Sequence, residues 1–160
     1  TTIHGINGCV VKLSKLTAVC EVFRGMADCK LSEVFWHPND DGFCGGVEFA
    51  FMSATLDRNQ AVRYATGAAS TLFEMKQGIA GRGAECSWLS QYGFEREIMF
   101  PPLMAIHVLS SRVHGRLLII EARLELAPQT LEQVQRKEDL VSPVELAACK
   151  VALCGANCVS

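Results

Sequence analysis

No apolar run in this chain of 160 residues reaches the ~18 residues of a membrane-spanning helix, because Arg, Glu or Lys interrupts every candidate. Net charge is equally scarce. A formal balance of -2 offers no basic face for neutralising phosphates, so neither a membrane nor a nucleic acid is expected as a partner. There is no C-x-x-C pair and no signal-peptide pattern, which leaves the cytoplasm as the expected location. Nor is there a G-x-G-x-x-G turn between a strand and a helix, so a Rossmann-type dinucleotide site is not indicated. The histidines at 4, 37, 107 and 114 are scattered over a terminus, a loop, a strand and a turn. Cys149, Cys154 and Cys158 lack a fourth ligand and a His partner, so no metal site is expected. No internal repeat is visible.

What is present is a globular composition, 49% hydrophobic and 20% charged, at the length of one main domain. The eight cysteines, at 9, 20, 29, 44, 86, 149, 154 and 158, are read as reduced and mostly buried thiols. The opening "TTIHG", without Met, suggests a piece of a larger multidomain chain. Residues 1 to 126 read as the main domain and 127 to 160 as a C-terminal helical extension. That extension either packs on the domain or belongs against a neighbouring region.

Periodicity orders the elements. Ile6, Val10, Leu13 and Leu16 form a helical stripe, and "AVCEVFRG" reads as a strand stopped by Gly25. Residues 27 to 46, with "HPNDDGFCGG", form a long loop. "GVEFAFMSAT" reads as one buried strand, followed by a helix capped by Asp57. "STLFEMKQ" alternates as a strand does. "GIAGRGAECSWLSQYG" is an irregular connection that includes Arg82 and is compatible with a mobile loop, and Pro101-Pro102 ends the short strand of "EREIMF". "LMAIHVLSSRV" and "RLLIIEARLEL" flank His114-Gly115 as an antiparallel hairpin. "QTLEQVQRKED" and "SPVE" read as helices near the end. The pattern predicts an α+β fold with a mainly antiparallel sheet and flanking helices.

Three polar groups stand at strand ends: Arg24 in "VFRG", Ser53 in "FMSAT", and Glu95 with Glu97 in "EREIMF". Each has a plain alternative. Arg24 suits a surface ion pair, Ser53 could cap the next helix, and two carboxylates on one strand face could be a solvated edge. Together, in this chain order, they resemble the Arg-Ser-Glu class of ADP-ribosyltransferases, the cholera-toxin-like, arginine-specific mono-ADP-ribosyltransferases. "GGVEFAFMSATLDRNQAVRYA", "SWLSQY" and "EREIMFPPL" add to the likeness, which covers about residues 8 to 125. One departure is Ser-Ala-Thr where that class usually has Ser-Thr-Ser or Ser-Thr-Thr.

The resemblance implies two packed, mainly antiparallel β-sheets forming an NAD cleft, with NAD as substrate and no metal. It implies that Glu97 hydrogen-bonds the ribose 2′-hydroxyl and that Ser53 holds Glu97. Glu95 would receive the guanidinium of an acceptor arginine on a protein substrate, the protein itself being one candidate. Arg24 is a fixed cation suited to the NAD phosphates or ribose. Gly25 would let the backbone approach the nicotinamide amide. Phe73, Trp88 and Tyr92 are alternative aromatic walls for nicotinamide, each also readable as packing. The alternatives to arginine transfer are an NAD glycohydrolase with water as acceptor and a catalytically silent NAD- or partner-binding module.

Overall fold

The computed structural model describes residues 2–40, 42–79 and 81–126. The helices expected in "QTLEQVQRKED" and "SPVE", and the whole 127–160 extension, lie outside the described residues.

The chain opens with helix α1 (Thr2–Ser14) and continues into strand β1 (Glu21–Met26). The long loop that follows contains one short helix, α2 (Glu33–Trp36). "GVEFAFMSAT" is not one strand but two. β2 (Gly45–Glu48) and β3 (Met52–Thr55) are separated by a break at 49–51. Glu48 makes that break, because its Oε1 accepts the Ala50 amide at 3.2 Å and so satisfies backbone that a continuous strand would have paired elsewhere. The two strands then find different neighbours, β2 pairing with β7 (Met104–His114) and β3 with β6 (Glu97–Phe100).

Helix α3 (Arg58–Tyr64) follows β3 and is capped as expected, the Asp57 side chain accepting the Asn59 amide at 2.9 Å. β4 (Ser70–Gln77) is buried on both faces. On one face Leu72 packs with Ala61 of α3, and on the other Phe73 and Met75 enter the main core. The glycine-rich stretch contributes β5 (Ala84–Glu85). Arg82 donates to the carbonyls of Ile79 and Thr17, and Gln77 accepts the Gly83 amide at 3.0 Å. β6 stops at Phe100 before the two prolines. β7 and β8 (Leu117–Leu126) form the expected hairpin, in which Gly115 takes φ +64.

Among the described residues the strands form one eight-stranded sheet in the order β2-β7-β8-β4-β1-β3-β6-β5, antiparallel except for the parallel β4/β8 pair. The two expected sheets are joined. β1 and β3 share a single register pair, Phe23 with Thr55, which links a five-strand part to the β3-β6-β5 part. The main core draws on both parts, including Val22, Met26, Phe73 and Ile120 from one and Met52, Ile98 and Phe100 from the other. The sheet also curls so far that Glu48, on an edge strand, comes within 3.9 Å of Arg24 on β1 near the middle of the order. No described helix is long and apolar enough to cross a membrane.

Candidate functional site

The site lies where β1, β3, α3 and β6 meet. Thr55 and Glu97 are register partners, which makes Ser53 and Glu97 diagonal neighbours on one face of the β3/β6 ladder. Their side chains meet, with Ser53 Oγ donating to Glu97 Oε1 at 2.7 Å. Both residues are half-buried. A hydroxyl in that position fixes the rotamer of the carboxylate.

Arg24 reaches the same residue from the other side of the main chain. Alternation along β1 sends Val22, Arg24 and Met26 toward the main core, whereas Phe23 faces α3. From there Arg24 Nη1 donates to the Ser53 carbonyl at 3.1 Å, and Nη2 stands 3.9 Å from Glu48 Oε2. Glu48 is 3% exposed, and among the described residues its Oε2 accepts no hydrogen bond. Burial pushes its carboxyl above the usual range, while the Arg24 charge and the Ala50 amide pull against that rise. Sequence reading missed Glu48. The available signal was a lone acid inside the apolar run "GGVEFAF", which needs a reason to be buried.

Glu95 does not sit on a strand with Glu97, so the shared-face expectation is corrected. A 3-10 turn, Gly93–Glu95, ends at Glu95, and Arg96 takes the left-handed conformation at φ 48 before β6 begins. That turn breaks the period-two geometry and divides the two acids between two elements. Arg96 lines a separate surface depression with Thr17, Glu21 and Glu85. Thr55 anchors the turn, its hydroxyl donating to the Glu95 carbonyl at 2.5 Å and accepting the Asp57 amide at 3.0 Å. Glu95 Oε1 in turn accepts from Tyr64 OH at 2.5 Å and from Gln60 Nε2 at 3.3 Å. Neither α3 residue stood out in the sequence. Their four-residue spacing is a usable signal only once α3 is known to face Glu95.

One other expectation changes. Phe73 is 1% exposed and packs edge-on to Phe35, with ring centroids 6.3 Å apart, so it is a core residue and not a wall open to a ligand. The other two candidates face solvent, Trp88 at 70% exposure and Tyr92 at 52%. A Cβ on Gly25 would stand 1.8 Å from the Ala61 carbonyl oxygen, so the close approach of α3 is a second reason for a glycine there. Burial, with the Glu97 charge second, pushes the Cys86 thiol up and keeps it protonated. The five described cysteines form no disulfide, and no described group of His, Cys, Asp or Glu has the makings of a metal site.

No protein-family profile matches the sequence, and no curated protein does. Solved structures do match. Vis, an ADP-ribosyltransferase from Vibrio splendidus, seen in complex with agmatine, superposes with a TM-score of 0.59 at 21% identity over 79% of this chain and 58% of its own. HopU1 of Pseudomonas syringae gives 0.57 at 20% identity over 72% of this chain and 49% of its own. Plx2a, an ADP-ribosyltransferase toxin from Paenibacillus larvae, gives 0.55 at 19% over 77% and 69%. The chain thus spans about half the length of Vis and HopU1. The mixed, mainly antiparallel architecture read from the sequence is the architecture of these neighbours, and the chain has the fold of the ADP-ribosyltransferases.

Proposed function

We propose that the chain transfers ADP-ribose from NAD to the guanidinium of a protein arginine and releases nicotinamide. The observation that carries the reading is the Ser53 Oγ to Glu97 Oε1 bond of 2.7 Å beside Arg24, which is bound to the Ser53 carbonyl. NAD is the substrate, and its chemistry fits these groups. As the glycosidic C–N bond breaks, its electron pair leaves on nicotinamide and positive charge develops at the ribose. A carboxylate already oriented by a hydroxyl stabilises that charge without reorganising. An acceptor nitrogen then bonds to C1′, and the proton it loses passes to Glu95 and on to water. Arg24 supplies a fixed cation next to the pair, suited to the phosphates or ribose of the dinucleotide. A cationic acceptor is favoured by Glu95, an acid standing two residues before Glu97 and fixed by its own partners. The small guanidine agmatine bound to Vis is compatible with such an acceptor.

The test is incubation with labelled NAD and a mixed protein substrate, followed by mapping of the modified side chain. Glu97→Ala is expected to remove transfer and NAD hydrolysis together, and persistent turnover refutes the assignment. Glu95→Gln is expected to abolish arginine transfer and to leave hydrolysis. Survival of both activities unchanged would remove Glu95 from the acceptor role.

A further inference from the structure

Gln60 and Tyr64 stand four residues apart on α3 and so project from one side of that helix. Both donate to the same oxygen, Oε1 of Glu95, and among the described residues Oε2 accepts no hydrogen bond. The helix is held at this distance by Thr55, whose hydroxyl ties the end of β3, the start of α3 and the turn carrying Glu95 at one point. Tyr64 is 53% exposed, so it is not a core residue whose ring position is set by packing. The hydrogen bond to Glu95, followed by burial and the Glu95 charge, pushes the Tyr64 phenol above its ordinary value, and it stays a proton donor across neutral pH.

We infer that Gln60 and Tyr64 are positioning residues that hold Glu95 with Oε1 engaged and Oε2 presented to the acceptor, so that a cationic guanidinium is chosen over a neutral nucleophile. This rests on the reading of Glu95 as the acceptor acid. An unrestrained glutamate on a surface turn would have to be ordered each time an acceptor arrives, whereas two donors on one oxygen order it beforehand. With the two acceptor sites of Oε1 filled by Tyr64 and Gln60, those of Oε2 are left for the acceptor, and a cationic guanidinium N–H fills them more strongly than a neutral water or hydroxyl does. Neither α3 side chain takes part in bond making. Nicotinamide still leaves with the C–N electron pair, and the acceptor's proton still goes to Glu95.

The experiment uses the whole chain, NAD, and agmatine as acceptor probe, with transfer and NAD hydrolysis measured separately. Tyr64→Phe keeps the ring and removes the donor. It is expected to lower kcat/KM for agmatine by roughly tenfold or more, mainly through KM, while NAD hydrolysis changes by less than about twofold. Gln60→Glu, which sets a like charge against Glu95, is expected to act in the same direction. A merely structural role for these bonds would lower transfer and hydrolysis in parallel, and that result overturns the inference. So does unchanged agmatine kinetics in a Gln60→Ala, Tyr64→Phe double variant. Hydrolysis of NAD by the unmodified chain with no transfer to agmatine would instead overturn the arginine reading itself, and this inference with it.

Discussion

At the scale of the residue, Ser53 holds two partners with two different parts of itself. Its hydroxyl serves Glu97 and its carbonyl serves Arg24. Ser53→Ala therefore removes one link and leaves the other, since alanine keeps the backbone oxygen. A hydrogen bond to a charged group contributes about 1.5–3 kcal/mol, so kcat/KM is expected to fall roughly ten- to hundredfold. The melting temperature should stay close to that of the unmodified chain, because the pair is only half-buried. Steady-state NAD turnover alongside a thermal melt checks both halves of this expectation, and a large loss of melting temperature would show that Ser53 acts through the fold.

Among the elements, α3 is the one whose placement decides the geometry around the acids. It lies against β1 at Gly25, where any side chain would run into the Ala61 carbonyl. Gly25→Ala is expected to push α3 outward and to destabilise the protein by about 1–3 kcal/mol or more, as overpacking of a close contact does, measurable by urea unfolding. Because Gln60 and Tyr64 ride on the same helix, agmatine transfer should suffer more than hydrolysis. Much of this level was legible in the sequence. Periodicity found α1, β1, β4 and the β7/β8 hairpin, and the Asp57 cap was readable because capping is local chemistry. The division of "GVEFAFMSAT" was not readable, since it depends on β2 and β3 meeting partners more than forty residues along the chain. The same limit applies to Glu95. A Glu-x-Glu written on paper looks like one strand face, and only the left-handed Arg96 shows that it is a turn followed by a strand. Gly25 and Phe73 were noticed for a ligand, yet both answer to packing that no local pattern reveals.

Across the whole molecule, Glu74 on β4 ties distant parts together. It accepts from Arg58 Nε at 2.8 Å at the start of α3 and from Arg112 Nη2 at 2.5 Å on β7, while Arg112 also pairs with Glu121 of β8. Burial alone would raise the Glu74 carboxyl, but the hydrogen bonds from Arg58 and Arg112 outweigh it and hold the group below its usual range. A carboxyl depressed in the folded state stabilises above its unfolded value of about 4.3, and that contribution is lost as pH falls through the lower folded value. Glu74→Gln should accordingly be less stable than the unmodified protein at neutral pH, with the gap closing on acidification. Urea unfolding at pH 7 and in the acid range would measure it, and a gap that stays constant would count against the ion pairs. The strand order also has a consequence for how the protein is made. Ser53 leaves the ribosome 44 residues ahead of Glu97, an interval of about 2–9 s at typical synthesis rates of ~5–20 residues per second. Through that interval β2 waits for β7 and one flank of β3 waits for β6, and afterwards β4 still waits for β8. The nascent chain therefore displays apolar strand edges for seconds before they are covered, and that is the stage at which a chaperone has the most to protect.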